Sequence, residues 1–186
     1  GEPELRVTIE GERQQRVERS LSFANLAPWR PQGGWLITGG LGKLGLLLAE
    51  HLVKKGVRHL LLLGRSADQP GSEVEAKLDK LRQQGAVLHI RAVDVTDYSA
   101  LEQAIDAFQK AGGDLRGIVH GAGLTRDRMM MRKSAEDCQV VVDPKVLGAQ
   151  HLDRLTRDLP LQAFVLFSSI TAVRGNLGQC DYGFAN

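Results

Sequence analysis

The run Trp35-Leu36-Ile37-Thr38 is a short apolar strand pattern that passes directly into Gly39-Gly40-Leu41-Gly42-Lys43-Leu44-Gly45 and on into a helical stretch at Leu44–Lys55. Strand, glycine-rich turn and helix in immediate succession constrain this chain more than any other feature. Glycines permit a tight turn and let the backbone approach a pyrophosphate, and the following helix offers unpaired N–H groups and the positive end of its dipole. A strand-to-helix turn needs one glycine for structural reasons alone, but four glycines lie within the seven positions 39–45. Thr38, Gly39, Gly42, Leu44 and Gly45 are therefore the candidate dinucleotide contacts. The turn argues against a Walker-type ATP loop, since no Gly-Lys-Ser/Thr follows at the required spacing.

Downstream the same alternation repeats. His59–Leu63, Ala86–Val93, Gly117–His120 and Ala163–Phe167 read as further buried strands, and Ser72–Gln84, Ser99–Ala111 and Ser134–Arg157 as helices. Strands alternating with helices of this length predict an α/β fold, a Rossmann-type doubly wound parallel sheet. Residues 1–32 differ. Leu5-Arg6-Val7-Thr8-Ile9 alternates as a half-buried strand does and Gly11 reads as a turn, while Ser20–Gln32 holds Pro28 and Pro31 and little periodicity. The expectation is a connector and the tail of a structural subdomain over 1–32, and a cofactor-binding catalytic subdomain over 33–186.

A chain of 186 residues with 42% hydrophobic and 25% charged residues is long enough to bury a core. A net charge of +2, with Lys and Arg spread along the chain, makes no case for nucleic acid or a membrane surface as partner. No apolar run is long enough to span a bilayer and no signal peptide opens the sequence. Cys138 and Cys180 are not spaced as ligands or as a disulfide framework, so a reducing, cytoplasmic setting is the default. The five histidines form no metal spacing, and no metal is expected.

The second strand ends in Leu63-Gly64-Arg65-Ser66. Many NAD-binding folds place here a carboxylate for the ribose 2′-hydroxyl; an arginine instead suits a 2′-phosphate and favours NADPH. Asp94, in Val93-Asp94-Val95-Thr96-Asp97, is placed either to accept from an adenine amine or to cap the next helix, for which Asp97 is better placed.

Five stretches together carry a resemblance to the ketoreductase domains of modular polyketide synthases, within the short-chain dehydrogenase superfamily: Gly34 to Gly45, Asp94-Val95-Thr96-Asp97, Val119-His120-Gly121-Ala122-Gly123, Phe164-Val165-Leu166-Phe167-Ser168-Ser169 and Tyr182-Gly183-Phe184-Ala185-Asn186. Lys43 stands where many relatives have glycine. The resemblance implies cofactor contacts at Asp94, Val95, Gly121, Ala122 and Gly123. It also implies a catalytic tetrad: Tyr182 as proton donor, Ser169 hydrogen-bonding the same carbonyl oxygen, Lys145 and Asn186. An early lysine and a late asparagine is the order of polyketide and fatty acid ketoreductases; ordinary short-chain dehydrogenases place the lysine four after the tyrosine.

The chemistry calls for these residue types. Reduction leaves developing negative charge on oxygen, where two hydroxyl donors should converge. A free tyrosine has a pKa of about 10, and a neighbouring ammonium stabilises the phenolate left after proton transfer. Taken singly, each residue has an ordinary structural reading: Tyr182 a packed aromatic, Ser168-Ser169 a turn, and Lys145 a solvated lysine beside Pro144, which is expected to kink its helix. Cys180 and Met129–Met131 read as packing, the methionines alternatively as substrate-channel lining.

The resemblance further implies B-type stereochemistry, a D-configured alcohol, because an aspartate falls at Asp127 and Arg174 occupies the A-type tryptophan position. Arg126-Asp127 resembles trans-acyltransferase assembly lines. The implied partners are an acyl carrier protein bearing a phosphopantetheine-bound β-ketoacyl chain and the neighbouring synthase domains. Because the chain ends on the tyrosine helix, the family's last strands and lid helix are expected beyond Asn186. The rival readings are a catalytically silent domain of the same fold and an extended relative such as a nucleotide-sugar epimerase.

Overall fold

A computed structural model describes residues 4–7, 13–16 and 29–186. Thr8, Ile9, Gly11 and the part of the connector before Trp29 lie outside the described residues. Strand β1 (Glu4–Val7) pairs antiparallel with β2 (Arg13–Arg16), Glu4 opposite Arg16 and Val7 opposite Arg13.

From Gly34 the chain alternates strand and helix. In order come β3 (Gly34–Thr38), α1 (Lys43–Lys54), β4 (His59–Gly64), α2 (Ser72–Gln83), β5 (Val87–Ala92), α3 (Tyr98–Lys110) and β6 (Leu115–His120). A 3₁₀ turn at Met130–Arg132 leads to α4 (Ala135–Thr156), β7 (Ala163–Leu166), and two short helices, α5 (Thr171–Arg174) and α6 (Cys180–Ala185). The five strands are parallel, in the order β5-β4-β3-β6-β7. The order reverses between β3 and β6, so both chain directions diverge from one crevice at the carboxyl ends of these strands, where doubly wound sheets bind ligands.

The strands alternate their side chains between two helical layers. Trp35, Ile37, Leu60 and Leu62 face α1 and α2, packing against Leu46, Ala49, Leu52, Leu78 and Leu81. Leu36, Leu61, Leu63 and Ile118 face the other way, onto Leu101, Ala104, Ile105 and Phe108 of α3 and Leu152 of α4. Both faces of β3 and β4 are covered, which is why these strands read as unbroken apolar runs.

Helix starts follow their sequence signals. Asp97 caps α3 by accepting from the Ala100 amide at 3.0 Å, the role the sequence assigns to it over Asp94. Ser134 and Asp137 form a reciprocal capping box on α4. The expected kink at Pro144 does not divide the helix: α4 is one element of 22 residues with Pro144 inside it. The missing amide removes one ladder bond, and the buried residues Val141, Lys145, Gly148 and Leu152 lie on both sides of it. No helix among the described residues is long and apolar enough to cross a membrane.

Candidate active site

The turn after β3 is built by close backbone approach. Gly39 has a φ of +66°, a left-handed conformation that favours glycine. A Cβ on Gly45 would stand 2.3 Å from the Gly39 carbonyl oxygen and 2.7 Å from the Gly40 Cα, so α1 starts tight against the turn. Gly42 is the N-cap of α1 and makes no side-chain cap bond, which leaves the first-turn amides available to a ligand.

Two adjoining clefts open here. Gly39, Arg65, Asp94, Val95, Ala122 and Gly123 line one; Thr38, Gly42, Leu44, Gly45 and Gly121 line the other. Every residue expected from the sequence to contact cofactor thus lies on these walls. The fit is that of a dinucleotide: a glycine cradle that a Cβ would fill, an uncapped helix start, and an exposed guanidinium at Arg65 after β4. Asp94 Oδ1 is engaged by the Thr96 amide at 2.9 Å and the Thr96 hydroxyl at 2.8 Å.

Thr38 is fully buried, and its hydroxyl serves the turns themselves. The Gly121 and Ala122 amides donate to it at 3.1 and 3.0 Å, and His120 Nδ1 lies 2.7 Å away. With both lone pairs taken by amides, the Thr38 proton goes to His120 Nδ1, so the ring proton sits on Nε2 and points at the Lys145 carbonyl, 3.3 Å away. Burial holds the His120 pKa below the usual histidine range, in keeping with a neutral ring. The ends of β3 and β6 and the backbone of α4 are therefore locked by one imidazole.

Lys145 is buried, not solvated, at 8% exposure. Its Nζ donates to the Phe167 carbonyl at 2.9 Å and stands 5.9 Å from the centroid of the Tyr182 ring. Burial lowers its pKa from the ordinary lysine value. Asn186, the C-cap of α6 and one turn beyond Tyr182, donates through Nδ2 to the Tyr182 carbonyl at 2.7 Å, and its Oδ1 is buried without a partner. Ser169 sits at the entry to α5, where its hydroxyl oxygen accepts from the Thr171 amide at 3.2 Å and the Thr171 hydroxyl at 2.9 Å, keeping its own proton free to donate. Among the described residues no hydrogen bond joins Ser169 to Tyr182; α6 meets α5 where a Cβ on Gly183 would lie 3.1 Å from the Thr171 carbonyl.

Asp127 lies on the exposed loop after β6, and Gln179 Nε2 donates to both its carboxylate oxygens at 2.9 Å. Lys145, Tyr182 and Asn186 thus lie near one another, with Lys145 next to Gly123 of the cleft wall, Ser169 borders α6 through α5, and Asp127 flanks the segment leading into Tyr182. Sequence reasoning missed His120, Gln179, Lys133 and Asp181. His120 stands inside a quoted motif and Asp181 next to Tyr182, but nothing local reveals that either is buried against a distant partner. No metal-binding group of His, Cys, Asp or Glu occurs among the described residues.

The family model for the KR domain matches residues 33–186. Polyketide synthase PksN of Bacillus subtilis (strain 168) is 41% identical over 160 residues, covering 86% of this chain and 3% of that protein. A ketoreductase domain from the bacillaene assembly line superposes with a TM-score of 0.82 at 40% identity, covering 90% of this chain and 40% of that one. PlmKR1, a ketoreductase from the first module of phoslactomycin biosynthesis in Streptomyces sp. HK803, has a TM-score of 0.80 at 39% identity, covering 87% of this chain and 38% of that one. The chain therefore spans about two-fifths of the solved ketoreductases and a few per cent of the curated relative.

Proposed function

The chain belongs to the KR domain family, and from that premise we propose that it is the NADPH-binding and catalytic part of a polyketide synthase ketoreductase. Its substrate is the β-keto group of an acyl chain thioester-linked to an acyl carrier protein, and its product the D-β-hydroxyl. The observation that carries this reading is the buried Lys145 ammonium placed 5.9 Å from the Tyr182 ring beside a glycine-built dinucleotide cleft. KR domains use nicotinamide cofactors. Arg65, exposed on the cleft wall, is the group that meets a 2′-phosphate and selects NADPH. The amides at the start of α1 receive the pyrophosphate.

Bound NADPH supplies the hydride that adds to the carbonyl carbon. As charge develops on the carbonyl oxygen, the Tyr182 hydroxyl gives up its proton to that oxygen, and Ser169 donates a hydrogen bond to the same atom. The Lys145 ammonium stabilises the phenolate left on Tyr182, and Asn186 holds the helix turn that carries it. The proton lost by Tyr182 and the hydride together complete the alcohol. Asp127, tied to Gln179 three residues before Tyr182, marks the side from which the acyl arm enters and so the D hand of the product.

The test is NADPH oxidation by the full-length protein on a β-ketoacyl thioester, with chiral chromatography of the alcohol. NADPH consumption yielding mainly the D-β-hydroxy product is expected. Absence of consumption would indicate a silent scaffold of the same fold, and a mainly L product would show that Asp127 does not set the hand.

A further inference from the structure

The loop that follows β6 and the segment that leads into Tyr182 are joined at several points. The Arg128 amide donates to the Gly178 carbonyl at 3.0 Å, beside the Asp127–Gln179 contact. Arg126 and Arg128 both reach Asp137 in the first turn of α4, at 3.1 and 2.8 Å. Lys133 Nζ donates to Asp181 Oδ2 at 2.6 Å and also to the Arg126 carbonyl, while Asp181 Oδ1 accepts from the Tyr182 amide at 2.9 Å.

The Lys133–Asp181 pair stands apart from the rest. Its side chains are 2% and 1% exposed, whereas in every other ion pair among the described residues both partners are at least 15% exposed. Burying two charges forfeits hydration that an apolar pair of like volume never had, so such a pair is a weak reason for stability. Its position points elsewhere. Lys133 directly precedes Ser134, the cap of the helix that carries Lys145, and Asp181 directly precedes Tyr182. Asp181 is also the one buried residue of the six-residue helix α6.

We propose that Lys133 and Asp181 are a buried positioning pair that sets the Tyr182 helix against the Lys145 helix, so that alignment of the proton donor rests on this ion pair. The proposal rests on the ketoreductase reading given above. It adds two residues that touch neither substrate nor cofactor and act through Tyr182.

The experiment compares the full-length protein with the double variant Lys133→Met/Asp181→Asn, which removes both charges and leaves an acceptor for the Tyr182 amide. Well below the unfolding temperature, kcat for the β-ketoacyl thioester should fall about 10- to 100-fold, as expected for a misplaced catalytic group. The dissociation constant for NADPH, titrated without substrate, should stay within about twofold, because the cofactor walls lie elsewhere. A lower unfolding temperature with unchanged kcat in the folded protein would overturn the proposal. If the double variant does not fold, Lys133→Arg keeps the charge and alters the reach: lowered kcat with unchanged NADPH binding supports the pair, and unchanged kcat overturns it. Amide hydrogen exchange reads the pair without any substrate. In Lys133→Arg or the double variant the Tyr182 and Arg128 amides should lose protection together, and retained protection at both would contradict the pair. A wild-type protein that reduces nothing would count against the ketoreductase reading alone.

Discussion

The cofactor cleft and the surroundings of Lys145 and Tyr182 are held in place by different means. At the cofactor cleft, position is set by what side chains are absent: glycines let Gly45 and Gly39 meet, and apolar layers clamp the strands on both faces. Around Lys145 and Tyr182, position is set by polar contacts with the Phe167 carbonyl, Asn186, Thr171 and the Lys133–Asp181 pair. The first region should therefore fail by steric intrusion and lose fold and binding together. The second should fail by loss of a charge or hydrogen bond and lose turnover first.

The largest effect that would break this contrast is at Gly45. Gly45→Val forces a side chain to within 2.3 Å of the Gly39 oxygen and should destabilise the fold by about 3 kcal/mol or more and abolish cofactor binding. Thermal unfolding and a cofactor titration measure both; a stable, NADPH-binding variant would show that the close approach is not what holds the turn. Next in size is Arg65→Asp, which removes a polar contact from the otherwise steric region. A charge-assisted bond to the 2′-phosphate is worth about 1.5–3 kcal/mol, so NADPH affinity should fall about 10- to 100-fold while NADH affinity changes little. Equal losses for the two cofactors would remove Arg65 from the 2′-phosphate.

The smallest effect sharpens the seam between the regions, at His120. Its folded pKa lies below the ordinary 6.5 because burial disfavours the charged ring. Below about pH 6.5 the unfolded chain takes up a proton that the folded chain does not, so the stability present above that pH is lost as the pH falls towards the folded value. His120→Gln, which can still accept from Thr38 and donate to the Lys145 carbonyl, should flatten the unfolding temperature between pH 7 and pH 5. An unchanged slope would assign that acid sensitivity to other groups, His89 among them, which burial also shifts down.

Most of the first region was legible in the sequence, because its signals are local. The Leu60–Leu63 run, the glycine turn and the preference for Asp97 as a cap each need only a few neighbouring residues. The single long helix over Ser134–Arg157 was legible as well, and α4 runs on through Pro144. The second region was legible in residue type and order but not in contact. Thr38 and His120 are 82 positions apart and Lys133 and Asp181 are 48 apart, and no periodicity encodes such pairings. Lys133 in particular lies in a basic stretch with Arg126, Arg128 and Arg132, where a solvated charge is the ordinary expectation.

The claim at the centre of this account is that Tyr182 gives the proton while the glycine-built cleft holds the cofactor independently of it. Tyr182→Phe removes one hydroxyl and leaves the ring beside Lys145. The measurement is NADPH binding and single-turnover reduction of a β-ketoacyl thioester by this variant, side by side with the wild-type full-length protein. The account predicts an unchanged NADPH dissociation constant and a rate lower by about 10²- to 10⁴-fold, the range expected for loss of a general acid. Reduction at near wild-type rate with binding intact would contradict it and move the proton donor to another group.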